Sequence, residues 1–140
     1  MHSTHTRRLT NETAKKMMTT ALAIADTAGV SVSIAIVDAG GYLIMMERME
    51  GDVFGSVKSA ISKAVSAASS GSSDSGVLTP GRPADDQVMF ETSFKRSSDN
   101  KGGYSIFKDG DCVGGIGVAG SESNINELIA SGAIKAIGSQ

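Results

Sequence analysis

Tryptophan is absent from this chain, and aromatic residues make up only 4% of it. A core without large rings is built from Ala, Val, Ile and Met, and the 17 glycines let backbones approach closely. The single cysteine, Cys112, excludes an intrachain disulfide and a cysteine-based metal framework. The only histidines, His2 and His5, stand in a polar N-terminal stretch. A Ser-His-Asp triad or a buried imidazole metal cluster is thereby excluded, and no metal site is expected. There is no excess of basic residues; a net charge of -2 argues against nucleic acid as a partner. No apolar run is long enough to cross a bilayer, and Arg7-Arg8 is followed by Leu9-Thr10-Asn11-Glu12 rather than by an apolar stretch. A soluble, cytoplasmic protein without a membrane partner is expected.

What the chain does have is patterned. At 140 residues it is one domain, with residues 1–8 expected as a disordered tail and 9–140 as the folded unit. Thr10 is a natural N-cap, and Ala14, Met17, Met18, Ala21, Leu22, Ala25 and Ala28 recur at helical spacing before Gly29. In 30–49, Val30, Val32, Ile34 and Ile36 alternate with smaller residues, the period of a strand. Asp38-Ala39-Gly40-Gly41 then predicts a hairpin turn into a second strand, with Tyr42, Ile44 and Met46 on one side and Leu43, Met45 and Glu47 on the other.

A second helix is marked by Phe54, Val57, Ile61, Ala64, Val65 and Ala68. Its opposite face of Ser56, Ser59, Ser62, Lys63 and Ser66 is either solvated or packed close to another surface. The low-complexity run SSGSSDSG at 69–76 and the turn cluster at 79–83 predict a flexible loop near 69–84, and SSDNKGG at 97–103 predicts another near 95–103. Residues 85–90 read equally as a helical turn or a short strand. Strands at 104–107 and 111–118 flank Lys108-Asp109-Gly110, a hairpin signal, and a last helix carries Ile125, Leu128, Ile129, Ala133, Ala136 and Ile137. The expected fold is α/β (α+β): a three-layer α-β-α domain with a central, mainly antiparallel five-stranded sheet built from two hairpins and flanking helices.

Few motifs carry chemistry. Gly115-Ile116-Gly117-Val118-Ala119-Gly120 matches G-x-G-x-x-G but lacks the strand and distant acid of a dinucleotide site, so a glycine-rich strand packed under a helix is the better reading. Cys112 has no histidine partner and reads as structural. Asp38 suits a turn before Gly-Gly. Arg48 ends a strand and Lys63 lies on the small-residue face of the second helix; the two cations are either solvated or face a cleft that holds a carboxylate.

Taken together, VSIAIVDAGGYLIMMERMEGDVFGSVKSAISKA and FKDGDCVGGIGVAGSESNINELIASGAIKAI resemble the GlcG/HbpS-like family, the haem-binding or haem-degrading group that includes the PduO C-terminal domain. The matching positions are 37–41, Arg48-Met49, Gly55-Ser56, 60–64 and 109–120, and the resemblance runs from Leu9 to Ile137. It implies the three-layer fold, homo-oligomers (dimers or larger) and, in some members, haem or corrinoid binding. Where relatives carry an acid in the last helix this chain has Asn126, and it has no core histidine to serve as axial haem ligand.

Two functions follow as expectations. One is a small-ligand-binding protein for haem, another carboxylated tetrapyrrole or an anionic metabolite, with Asp38, Arg48, Lys63 and Tyr104 as ligand-binding residues. The alternative is a small cofactor-independent isomerase, lyase or hydrolase acting on an organic acid, with Lys63 or Tyr104 as catalytic acid/base and Arg48 as clamp.

Overall fold

The computed structural model describes residues 8–52, 55–75 and 102–138. The elements are α1 (Asn11–Ala28), β1 (Ser33–Asp38), β2 (Leu43–Arg48), α2 (Ser56–Ser75), β3 (Gly103–Lys108), β4 (Asp111–Ala119) and α3 (Ser123–Gly138). Thr10 caps α1 by accepting from the Thr13 amide at 3.1 Å, and Gly29 closes it with φ 74°, a left-handed conformation that costs glycine nothing.

Two hairpins form one antiparallel sheet in the order β2-β1-β4-β3. In the first, the Asp38 carboxylate accepts from the amides of Gly40 at 3.0 Å and Tyr42 at 2.9 Å, so the side chain itself shapes the turn. In the second, Asp109 and Gly110 both have positive φ (54° and 86°), which matches the right-handed twist of the strands they join.

Among the described residues the sheet has four strands rather than the expected five. Each hairpin supplies two, and the one further segment with strand character, 85–90, lies outside the described residues. His2, His5, Phe54 and the turn cluster at 79–83 also lie outside them.

Both faces of the sheet are covered. Ile34 and Ile36 of β1 and Ile116 and Val118 of β4 point to α1 and α3, where they join Met17, Ile106 and Ile129. Ile34, Ile36, Ile106, Ile116 and Ile129 are fully or almost fully buried, and at roughly 1.5–3 kcal/mol for each such side chain this layer carries most of the hydrophobic stabilisation. The opposite face consists of Ala35, Val37 and Ala119 against Ala60, Ala64 and Ala68 of α2. Here the contact is main chain on main chain. A Cβ at Gly115 would strike the carbonyl oxygen of Ala64, and one at Gly117 that of Ala60. The G-x-G-x-x-G run is thus a strand made bare so that a helix can lie on it.

Two expectations change. Residues 69–75, expected as loop, continue α2. Gly71 explains the extension: a Cβ there would meet Ser105 and Cys112 at 2.7 Å, so the glycine that looked like a breaker lets the last turns pass over β3 and β4. The alternation expected of β2 is broken by a bulge between Ile36 and Val37 of β1, opposite Ile44. Ile44 and Met45 both pack on the α1 face, while Met46 joins α2.

Candidate functional site

The sheet sorts the four residues singled out from the sequence by end and by face. Arg48 pairs with Ser33, and Ser33 with Ala119, so Arg48 and the end of β4 share one end of the sheet. Lys63 reaches that same end from α2, its Nζ donating to the carbonyl oxygen of Val118 at 3.0 Å. Directly opposed residues on antiparallel strands share a face, and Ser33 faces α2, where its hydroxyl meets that of Ser56 at 2.9 Å. Arg48 and Lys63 therefore share both end and face. Asp38 lies five residues from Ser33, about 17 Å along β1, at the other end. Tyr104 pairs with Ile116 and packs into the α1/α3 core, on the far side of the sheet from Lys63.

Lys63 is the most unusual of the four. Its Cβ lies beside bare Gly117 and its ammonium near Gly102, where β3 begins. Half-buried, the group is partly stripped of water, and this desolvation lowers its pKa from the ordinary 10.5. Among the described residues no carboxylate pairs with it, and one carbonyl engages one of its three N–H donors. Such an ammonium can accept an anion as counter-ion or, once deprotonated, act as a base.

At the same end of the sheet stands a polar cluster that the sequence reading did not single out. Asp52, 7% exposed, accepts from the hydroxyls of Ser33 and Ser56 through one oxygen, joining β1, the end of the hairpin and the start of α2. Arg48 leans over it, Nη2 being 3.5 Å from the Asp52 carbonyl oxygen, a long contact that leaves the exposed guanidinium able to turn toward a ligand. Gly120, at φ 121°, is where a Cβ would collide with the Asp52 carboxylate. The signal in the sequence was Ser33, a hydroxyl directly before the apolar run Ile34-Ala35-Ile36-Val37. Asn126, 3% exposed, borders the site from α3 and holds Ser121 through two hydrogen bonds of 3.0 and 3.2 Å.

A cavity of about 400 Å³ lies by Asp38, lined also by Arg8, Asn11 and Gly40. Because Asp38 is committed to the turn, its carboxylate is a shaping group there. The Cys112 Sγ lies 3.4 Å from the Gly114 carbonyl oxygen and 3.6 Å from that of Ala68, so its one S–H has an acceptor on either side, which fits the structural reading. No helix among the described residues is long and apolar enough to cross a membrane.

Comparison with known proteins places this geometry in a family. The structure is similar to the Klebsiella pneumoniae protein ORFY, with a TM-score of 0.72 at 22% identity over 94% of this chain and 92% of that one. It is similar to PduOC solved as a haem complex, with a TM-score of 0.69 at 25% identity over 92% and 94% of the two chains. A double mutant of Streptomyces reticuli HbpS matches with a TM-score of 0.71 at 29% identity over 94% and 88%. No curated protein matches the sequence. The family model described as "Haem degrading protein HbpS-like" matches residues 9–135, nearly the whole chain, and the chain belongs to that HbpS-like family.

Proposed function

We propose that this protein is a cytoplasmic, homo-oligomeric small-ligand-binding protein that takes haem, another carboxylated tetrapyrrole or an anionic metabolite, with Lys63 as its anchor and Arg48 as a second cation. The observation that carries the reading is the half-buried Lys63 ammonium with no carboxylate partner among the described residues. A ligand carboxylate there gains a charge-assisted hydrogen bond in a partly desolvated setting. PduOC, a structural relative, was solved as a haem complex, which supports a tetrapyrrole as the first ligand to test.

The described residues fit the carboxylates of such a ligand better than its iron. They include no histidine, and Tyr104 lies across the sheet from Lys63. Asp38 stays with its turn, so the proposed contact is made by Lys63 and Arg48.

The test is a haemin titration followed at the Soret band, with residues 1–5 removed so that His2 and His5 cannot ligate. A saturable shift at micromolar haemin, weakened in Lys63→Ala and in Arg48→Ala, is expected. A Soret band that never saturates removes haem from the reading.

One observation favours a second reading. The lowered pKa of Lys63 suits a general base acting on a small organic acid, with Arg48 as clamp. Turnover of a small acid, lost in Lys63→Ala, distinguishes it from simple binding.

A further inference from the structure

On the α1/α3 side of the sheet, at the end away from Lys63, a cavity of about 410 Å³ opens between the start of α1, the end of α3 and the β3–β4 hairpin. That volume lies within the ordinary range for small-molecule sites, about 300–1,000 Å³.

Its lining is mixed: Ile106 and Val113 from the hairpin, themselves almost fully buried, and Ile134 and Ile137 from α3 supply the apolar part, with Leu9 closing the side toward Asp38. Polar groups make up the rest, about half of the lining. Lys108, exposed at the end of β3, supplies one cation. Thr13 accepts from the Thr10 hydroxyl at 3.0 Å, which leaves its own hydroxyl hydrogen for a ligand. Asp109 brings one negative charge from the turn. An apolar body buried here gains hydrophobic free energy, and a single anionic head finds Lys108 and Thr13. A second anionic group meets Asp109, which disfavours dianions such as dicarboxylates.

The geometry points to this cavity as a binding site for a small amphipathic monocarboxylic acid, separate from the Lys63 site. A medium-chain fatty acid is the simplest member of that class. The apolar chain lies between the hairpin and α3, and the carboxylate emerges between Lys108 and Thr13. The site is on the opposite face and at the opposite end from Lys63, so it stands or falls independently of the proposed function.

Decanoate titrated calorimetrically into the full chain tests this, with decanol and acetate as controls. Saturable one-to-one binding of decanoate is expected, with no binding of acetate, which lacks the apolar body. Lys108→Ala is expected to weaken decanoate by about tenfold, the scale of one hydrogen bond to a charged group, and to leave decanol unchanged. Ile134→Phe, which fills the cavity, is expected to abolish both. Should that variant not fold, the exposed Lys108→Ala still decides the question. No saturable decanoate binding overturns the proposal. So does decanoate affinity that is unchanged in Lys108→Ala, or a decanoate affinity that falls in Lys63→Ala as much as in Lys108→Ala.

Discussion

Lys63 and Asn126 meet over the bare α-carbon of Gly102: a Cβ there would lie 3.5 Å from the Lys63 ammonium and 3.0 Å from the Asn126 Cβ. Asn126 carries no charge, so among the described residues no carboxylate compensates the ammonium beside it. Asn126→Asp places a carboxylate on that border. Its expected effects are a rise in the Lys63 pKa and a loss of affinity for an anionic ligand at Lys63 of about tenfold, the cost of displacing a paired charge. Lysine titration by NMR and a haemin titration of the variant check the two halves.

The burial of Lys63 makes stability and ligand binding depend on pH in opposite directions. Below its lowered pKa, Lys63 is charged in both folded and unfolded chains. Between that pKa and the ordinary 10.5, the unfolded chain holds the proton and the folded chain does not. Stability gained by the wild type relative to Lys63→Met therefore rises with pH through this window. Anion binding falls through the same window as the ammonium is lost. Urea unfolding and ligand titration at several alkaline pH values measure both slopes.

Gly117 touches no ligand group, yet its replacement is expected to be costly. In Gly117→Ala the new Cβ meets the Ala60 carbonyl oxygen, main chain that can shift only with all of α2. Overpacking of this kind costs about 1–3 kcal/mol, occasionally more. Gly138→Ala, with open space at the end of α3, is the matched control and is expected to leave the unfolding midpoint nearly unchanged. Urea denaturation of the pair gives the difference.

Asp38 separates a structural role from a binding one. Removing its carboxylate in Asp38→Ala takes the acceptor from two turn amides and is expected to cost about 1 kcal/mol for each hydrogen bond lost. Haemin affinity is expected to stay at the wild-type value, because Asp38 lies at the far end of β1 from Lys63. Thermal melts and a Soret titration on the one variant read both quantities.

Local signals in the chain were legible where one element decides its own form. The Thr10 cap, the Asp38 and Asp109-Gly110 turns and the helical spacing of Ala14, Met17 and Ala21 all depend on neighbours in sequence. The misses depend on partners far along the chain. Gly71 looks like a loop residue until Ser105 and Cys112 are beneath it. Ile44 joins Met45 on one face only because a bulge shifts the register against β1. Arg48 and Lys63 share one end and one face of the sheet because the Arg48–Ser33 and Ser33–Ala119 pairs carry one strand end to the next. Tyr104 falls away because its pairing with Ile116 turns it to the other face. Strand parity decides that, and a single strand does not reveal its partner's register. The Asp52–Ser33–Ser56 cluster joins residues up to 23 positions apart, and its only local sign was the Ser33 hydroxyl directly before an apolar run.

The seat of α2 on β4 sets a limit on how Lys63 can respond. Side chains that interdigitate can change rotamer and let a helix creep by fractions of a turn; main chain resting on main chain offers no such play. Sliding α2 along β4 would bring bulkier residues over Gly115 and Gly117, where even one methyl group collides. The helix is therefore a fixed rail. Whatever adjustment a ligand requires at Lys63 must come from the four-carbon stem of that side chain, so the reach of the anchor is set by the length of one lysine.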